Sequence, residues 1–194
     1  VVVTEGRRFR AGEVIVRGND LTRSDVVRRH VFIEPDRPLD ATAAETTNRK
    51  LQETRLFTSD VRVTIQQEDP TRPPAPDGLP YRDVLVEVQE TNTGNFSLGG
   101  AVGSDSGLTA RIALTQNNFD ITDTPDSLSE LFSSASFRGG GQRFVAEALP
   151  GDRVQTFSLS LAEPALYGSD YGGSARVGFR RRDFDDFTEQ RYGV

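Results

Sequence analysis

Two groups of residues have types and spacings that resemble known chemical sites. The triple glycine at 139–141 resembles part of a phosphate-binding loop, but no Lys followed by Ser or Thr comes after it. We therefore predict a tight turn that leads into a strand. Asp120, Asp123 and Asp126 recur at every third position. Calcium loops use a different spacing, so we predict a solvated loop there.

A third group is acidic and aromatic. Asp183, Asp185 and Asp186 lie among Phe184 and Phe187. A pair of carboxylates is the machinery of glycoside hydrolysis, so this group is compatible with hydrolytic chemistry. We predict instead a surface loop beyond the fifth strand of the second half.

The single histidine, His30, cannot build a catalytic triad or a metal site, because the chain has no Cys and no second His. We predict a surface or boundary residue at a helix end, where the helix dipole favours it. Arg180, Arg181 and Arg182 have two interpretations: contact with anionic lipid head groups, or the polar end of a strand. No nucleophile can be paired with a base. We expect no enzyme, cofactor or bound metal.

The composition narrows the class of partner. The net charge is −6 and Lys50 is the only lysine, so we expect no nucleic-acid surface. No run of 18 apolar residues occurs, which excludes a transmembrane helix. Membrane β-strands are shorter and alternate apolar with polar residues, so they are not excluded. The opening VVVTEGRRF lacks the features of a signal peptide, and we expect the chain to begin inside a longer protein or after processing.

The first half alternates short strand and helix patterns. We predict strands over 12–17, 61–66 and 83–89, and helices over 23–32 and 41–54. Thr22 and Asp25 have the spacing of a helix start, and Asp40 is the candidate cap of the second helix. The apolar face of that helix carries Ala44, Thr47 and Leu51. Five prolines make 68–80 an exposed loop.

The second half consists of hairpins. We predict strands over 95–102, 108–115, 142–149, 156–161 and 172–180, joined as a meander by polar turns. Apolar residues alternate with small or polar ones, so one face suits lipid and the other a lumen. An insertion at 120–138 interrupts the meander, and 127–132 has the pattern of a short amphipathic helix.

The order strand, helix, helix, strand, strand resembles a POTRA domain. The stretches GND at 18–20, LQETRLF at 51–57 and VEVQE at 86–90 resemble that family at the same places. One position departs from the pattern. Where the family leads us to expect a Gly at the end of the second helix, this chain has Thr54 and Arg55. That helix end is therefore expected to close differently.

The second half resembles the opening of the barrel of BamA-type outer-membrane assembly factors, the bacterial surface antigen family. The stretches that carry the resemblance are TGNFSLGGAVGSDSGLTARIALTQNNF at 93–119, FRGGGQ, SLAEPALYGSDY, RRDFDDF and EQRYG. The resemblance implies an α+β POTRA domain (β-α-α-β-β) over 1–91. It is followed over 92–194 by an antiparallel β-meander of about five strands, the N-terminal part of a sixteen-stranded transmembrane β-barrel.

The resemblance also implies a function in the bacterial outer membrane. The POTRA domain would stand in the periplasm and receive unfolded outer-membrane proteins, together with other POTRA domains and accessory lipoproteins. The barrel would lie in the lipid bilayer, and its first strand would form a lateral gate that templates substrates by strand addition. The expected gate residues are Asn95, Phe96, Ser97, Leu98, Gly99, Gly100, Ala101 and Val102. The expected substrate-pairing edge of the POTRA domain is Val61, Arg62, Val63, Thr64 and Ile65.

Two other functions stay open at this stage. A polypeptide-export pore of the two-partner-secretion type shares POTRA domains and a sixteen-stranded barrel. A periplasmic binding scaffold would use the first half alone.

Overall fold

The chain forms two compact units, Val1–Thr91 and Asn92–Val194. A computed structural model describes residues 7–104, 107–125, 127, 136–169, 171–184 and 186–194. Each unit has its own β-sheet, of three strands in the first and six in the second. Among the described residues, no helix is long and apolar enough to cross a membrane.

The first unit has the predicted element order. Its elements are β1 (Arg10–Arg17), α1 (Ser24–Arg28), α2 (Ala41–Glu53), β2 (Arg62–Ile65) and β3 (Tyr81–Glu87). The sheet order is β1-β3-β2, with β3 parallel to β1 and antiparallel to β2. The central strand β3 is the most buried, because it has a neighbour on each side and helices against one face.

Helix α2 follows its sequence pattern closely. The Asp40 side chain accepts a hydrogen bond from the Thr42 N–H, as expected of an N-cap. The buried residues of the helix are Ala44, Thr47 and Leu51, which is the predicted stripe. They pack into a core that includes Val84 and other residues of the sheet.

Helix α1 is shorter than predicted, and the prediction of a helix over 23–32 is wrong. The helix ends at Arg28, and its N-cap residue is Arg23, whose side chain makes no capping hydrogen bond. The reason lies in a tertiary contact. The Phe32 N–H donates to the Thr47 hydroxyl oxygen of α2 at 2.9 Å, so it does not continue the helical hydrogen bonds of α1. Glu90 accepts hydrogen bonds from the N–H groups that precede the helix, those of Leu21 and Thr22.

The second unit is an antiparallel meander of six strands in sequence order. The strands are β4 (Gly94–Gly103), β5 (Gly107–Phe119), β6 (Gln142–Leu149), β7 (Val154–Glu163), β8 (Gly173–Asp183) and β9 (Thr188–Gly193). The prediction of about five strands is wrong by one. Strand β9 was missed because its sequence, TEQRYG, has one large apolar residue and therefore no apolar alternation.

The insertion between β5 and β6 is described in part. Most of the helix predicted over 127–132 lies outside the described residues. At the ends of the insertion, Phe119 and Arg138 form an isolated β-bridge, and the Asp120 N–H donates to the Phe137 carbonyl oxygen at 2.8 Å. These contacts close the two ends of the insertion against each other.

The end of α2 generates a stability prediction. Arg55, at the position where a Gly was expected, has a φ of 58°, in the left-handed region. Arg55→Gly is expected to raise the free energy of unfolding of the first unit by roughly 0.5–1 kcal/mol, because Gly adopts this conformation without strain. Urea unfolding, followed by amide hydrogen exchange in α2, measures the change.

Arg49→Gly is the matched control, because Arg49 is an exposed residue inside the same helix. It is expected to lower the free energy of unfolding by about 1 kcal/mol. Equal destabilisation by both substitutions would show that Arg55 is not strained.

Candidate functional site: the free edge of strand β4

Strand β4 lies at one end of the six-stranded sheet. Within the described part of the chain it pairs with β5 alone, in a register that runs from Gly94 opposite Gln116 to Gly103 opposite Gly107. The Asn117 N–H donates to the Thr93 carbonyl oxygen at 3.0 Å, just outside this ladder. Because bonded and non-bonded pairs alternate in an antiparallel ladder, this bond fixes which residues of β4 bond to β5.

The backbone of β4 therefore divides into two sets. Asn95, Ser97, Gly99 and Ala101 direct their N–H and C=O groups to β5. Phe96, Leu98, Gly100 and Val102 direct theirs away from the sheet. Of the eight predicted gate residues, four thus present backbone hydrogen-bonding groups on the free edge.

The side chains of this edge are unusual for an exposed strand. Edge strands of soluble proteins are commonly protected by charges or proline, but β4 contains neither. Phe96, Leu98 and Val102 are 66%, 72% and 82% exposed. By contrast, β9, the opposite edge strand, carries Glu189 and Arg191. The β4 edge therefore lacks the features that prevent strand addition.

The large exposed side chains continue across the sheet. Register places them on one face, which we call the apolar face. Its members are Phe96, Leu98, Val102, Leu108, Ile112, Leu114, Phe144, Ala146, Ala148, Phe157, Leu159, Leu161, Ala175, Val177, Phe179 and Tyr192.

The opposite, polar face is the more buried one. Ala113 and Ser158 on this face are 6% and 9% exposed, whereas Leu114 and Phe157, their chain neighbours on the apolar face, are 46% and 47% exposed. Arg111 and Glu147 form an ion pair across β5 and β6 on the polar face, with 2.6 Å between nitrogen and oxygen. The sheet thus exposes its large apolar side chains, the reverse of a soluble sheet.

The apolar face is also oblique to the strands. On β8 it ends at Phe179, and the next residue with the same orientation is Arg181. The pairings align Phe179 with Ile112 of β5. On β5 the apolar face continues past Ile112 to Leu108, which is two positions further on the same face. In the other direction along β5, the apolar face stops before Gln116. The apolar residues therefore form a band that crosses the strands at an angle.

The first unit has a second free edge, on β2. The Gln66 N–H donates to the Asp83 carbonyl oxygen at 2.8 Å, so alternation directs the backbone groups of Arg62 and Thr64 to β3 and those of Val63 and Ile65 outward. Val61, also predicted for this edge, precedes β2 and is buried. Its carbonyl oxygen accepts a hydrogen bond from Asn48 at 2.7 Å, so it is not available to a further strand.

The structure describes most of the glycine and aspartate residues that resemble chemical sites in the sequence. Gly139 and Gly141 precede β6 with positive φ, in agreement with the predicted turn. Asp120 is buried and accepts hydrogen bonds from the N–H and hydroxyl of Thr122. Asp123 accepts one from the Arg138 N–H, and Asp126 lies outside the described residues.

The second acidic cluster closes a hairpin. Asp183 is the last residue of β8 and accepts hydrogen bonds from the Thr188 hydroxyl and from Arg181. The surface loop predicted beyond the fifth strand is a turn that leads to a sixth strand, and Asp185 lies outside the described residues. Arg180 and Arg182 lie within β8 on the polar face, and Arg182 stacks on the Phe184 ring.

Comparison with known proteins identifies a solved structure with a similar fold. No family model matches the chain. A crystal structure of BamA from Haemophilus ducreyi that lacks POTRA domains 1–3 superposes with a TM-score of 0.72 at 20% identity, over 96% of this chain and 31% of that one. The chain has a BamA-like fold. The resemblance seen in the sequence is thus confirmed at the level of the fold, and the chain spans less than a third of that structure's length.

A weaker similarity joins the chain to CdiB from Acinetobacter baumannii. The TM-score is 0.48 at 15% identity, over 91% of this chain and 29% of that one.

The orientation of the β4 backbone can be tested with proline. Leu98→Pro removes an N–H that points to the free edge, so the pairing with β5 is expected to persist. Gly99→Pro is the matched control, because it removes an N–H that bonds to Arg111 and is expected to disrupt the ladder. Hydrogen exchange of the Arg111 and Ala113 amides measures the difference. Faster exchange in both variants would contradict the assigned edge.

A second prediction concerns His30 of the first unit, which is half-buried. Burial, with the nearby charges of Arg29 and Lys50, lowers the pKa of His30 below its usual 6.5. The unfolded chain then binds the proton more tightly than the folded chain, so stability is expected to fall as the pH decreases below about 6.5. His30→Gln is expected to remove this dependence of stability on pH. Urea unfolding above and below that pH measures the change.

The acidic groups of the first unit do not change its stability in the pH range in which His30 titrates. The carboxylates with a lowered pKa, such as Asp25 and Glu53, have ordinary values of 3.8 and 4.5. Their contribution to stability is lost only at lower pH. An unchanged pH dependence in His30→Gln would rule out the assigned role of burial.

Proposed function

We propose that this protein is an outer-membrane protein assembly factor that templates incoming β-strands on the free edge of β4. The observation that carries the proposal is the uncharged, proline-free edge with four consecutive outward pairs of backbone groups, at Phe96, Leu98, Gly100 and Val102. The BamA-like fold supports it.

The exposed apolar face supports a location in the outer membrane. Water does not favour a continuous sheet face of large apolar side chains, whereas acyl chains do. Strands β4 to β8 contain 8 to 13 residues. At about 3.3 Å per residue and a tilt near 40°, ten residues cross roughly 25 Å, the height of a membrane-barrel apolar band. The oblique course of the band is what tilted strands require.

In this proposal the second unit is the N-terminal part of a sixteen-stranded barrel, and the first unit is a POTRA domain in the periplasm. Closure of the sheet satisfies the backbone groups of both edge strands, which a bilayer demands. The lateral gate lies at β4, the first strand. Opening of the gate exposes the outward groups of β4 to a substrate strand.

The chemistry of the gate is backbone hydrogen bonding. Each outward residue of β4 offers one N–H and one C=O, and an extended segment of any sequence supplies the complementary groups. In an apolar environment an unpaired group costs several kcal/mol, so pairing is strongly favoured there. Because the bonds involve the backbone, one edge can serve many unfolded outer-membrane proteins.

The glycines of β4 suit an edge that pairs with a substrate strand and then releases it. A Cβ at Gly99 would meet no atom within 4 Å, and one at Gly100 would meet only the Thr109 carbonyl oxygen at 3.7 Å. Close packing therefore does not require glycine at either position. We infer that these glycines weaken and bend the strand, which lowers the cost of exchanging its partner.

The first unit receives the substrate in the same way. Val63 and Ile65 offer outward backbone groups on β2, beside a groove of about 280 Å³ lined by Val63 and by residues of α2 that include Ala44, Asn48 and Gln52. An extended segment added to β2 would place alternate side chains in that groove. The further partners we propose are other POTRA domains and accessory lipoproteins. The protein acts without catalysis and without a cofactor.

Cysteine crosslinking tests the gate. The chain has no Cys, so each introduced Cys is unique. Single-Cys variants from Asn95 to Val102 are expected to form disulfides with a Cys in a strand of an unfolded outer-membrane protein during membrane assembly. Ser158→Cys, in the internal strand β7, is expected to form none. Leu98→Pro is expected to reduce the crosslinks of its neighbours because it removes a templating N–H.

Three outcomes would contradict the proposal. Substrate that is never trapped between Asn95 and Val102 would rule out the gate. A stable wide conductance in planar bilayers, with normal barrel assembly in cells depleted of the protein, would identify a polypeptide-export pore of the two-partner-secretion type. Substrate crosslinks at Val63 and Ile65 alone would identify a periplasmic binding scaffold.

A further inference from the structure

Two long connections lie at the same end of the six-stranded sheet. In a meander every second connection lies at the same end, so the β5–β6 connection at 120–141 and the β7–β8 connection at 164–172 both lie at the end where β4 begins. The turns at the opposite end are short, such as 150–153 between β6 and β7. We call the end with the long connections the near end.

The two connections are tied together by side chains. The Gln142 side chain accepts a hydrogen bond from the Ile121 N–H at 2.9 Å and donates one to Glu163 at 3.0 Å. The other carboxylate oxygen of Glu163 accepts from the Ala165 N–H at 2.9 Å. The start of each connection is therefore held in place by the same pair of side chains.

Aromatic residues border the apolar face at the near end. The Phe119 ring lies between Phe137 and Phe144, with centroid distances of 5.5 and 4.8 Å. Leu166 of the β7–β8 connection covers Gly173, since a Cβ on Gly173 would lie 2.9 Å from Leu166 Cδ1. Gly173 has the same orientation as Ala175 and Val177, so Leu166 extends the apolar face into the connection.

The β7–β8 connection displays two tyrosines beside Leu166. Tyr167 is fully exposed and has a φ of 52°, an unfavourable conformation for a bulky residue. Tyr171 is also exposed, and its carbonyl oxygen accepts a hydrogen bond from the Leu166 N–H at 2.8 Å. Asp170 is the one charged residue in the sequence of the connection at 164–172. A strained and exposed aromatic residue in a hydrogen-bonded loop is characteristic of a functional contact.

We propose that Leu166, Tyr167 and Tyr171 anchor the near end of the sheet in the head-group region of the bilayer. The inference rests on the proposed membrane location of the apolar face. Leu166 extends that face into the connection and contacts the acyl chains. The tyrosines combine an apolar ring with a polar hydroxyl, which suits the boundary between acyl chains and water. The continuity of Leu166 with the apolar face favours lipid over a protein partner.

Tryptophan reporters test the anchor, because the chain has no Trp. Tyr167→Trp, Tyr171→Trp, Tyr192→Trp and Phe32→Trp each create a single fluorophore, and Tyr192 lies on the apolar face whereas Phe32 is an exposed residue of the first unit. The full chain is reconstituted in phosphatidylcholine vesicles brominated either near the head group or near the acyl-chain end. Circular dichroism checks that each variant is folded.

The anchor predicts a distinct pattern of fluorescence loss. Trp at positions 167 and 171 is expected to lose more emission with bromine near the head group than with bromine near the chain end. Trp at position 192, opposite the residue at which the apolar face ends on β8, is expected to be quenched as well. Trp at position 32 is expected to lose none. Quenching at 192 without quenching at 167 and 171 would overturn the anchor and leave the proposed function intact.

The remaining outcomes are also decisive. Stronger quenching of positions 167 and 171 by the deep bromine would contradict their placement at the head groups. No quenching at 192 would place the apolar face outside the bilayer, and the proposed function would then fail together with the anchor.

Discussion

The second unit depends on one constraint, the need of every backbone N–H and C=O group for a partner. Within the part of the chain that the structure describes, strands β5 to β8 meet it with a neighbour on each side, whereas β4 and β9 meet it on one side only. Because side-chain orientation and hydrogen-bond direction alternate together along a strand, the unpaired groups of β4 belong to the same residues that place Phe96, Leu98 and Val102 on the apolar face. In the proposed function, the partner of this edge is therefore a strand, and it meets β4 in an apolar environment.

The edge strands β2 and β4 respond to this constraint differently. Strand β2 is short, carries the charged Arg62, and is preceded by Val61, whose carbonyl oxygen is already bonded to Asn48. Short length and charge are common means of limiting strand addition. Strand β4 is ten residues long and uncharged. In the proposed function these edges therefore differ in strength: β2 holds a substrate weakly, and β4 pairs with it along a full membrane crossing.

Local patterns predicted the elements well where local forces decide them. The Asp40 cap and the buried stripe of α2 were predicted correctly, because capping and helical periodicity depend on residues within two turns of each other. The apolar alternation of β4, β5 and β7 likewise predicted which side chains are exposed together. Five of the six strands of the antiparallel sheet were thus predicted from the sequence, and β9 was not.

Long-range contacts explain what was missed. Helix α1 ends early because Phe32 bonds to Thr47, fifteen residues away. Arg55 adopts the left-handed conformation because the helix end requires it, although the residue type does not favour it. The position of β2 at an edge was expected from the family resemblance and not from local patterns, because it results from the parallel pairing of β1 with β3, which joins residues about 70 positions apart. The gate residues were predicted as a continuous stretch, and only the ladder register separates the four that face outward.

The distribution of charge supports a membrane environment over burial of the apolar face by another protein layer. The described charged residues of the central strands lie on the polar face, as Arg111, Glu147 and Arg176 do, or beyond the ends of the apolar band, as Arg181 does. At a protein–protein interface, a charged residue at the rim is tolerated where the partner supplies an opposite charge. Such an interface therefore does not require a sharp boundary between apolar and charged residues. A bilayer supplies no such partner within its acyl region, and it excludes charge along the whole band. The uninterrupted oblique band from Val102 to Ala175 is the pattern that the bilayer imposes.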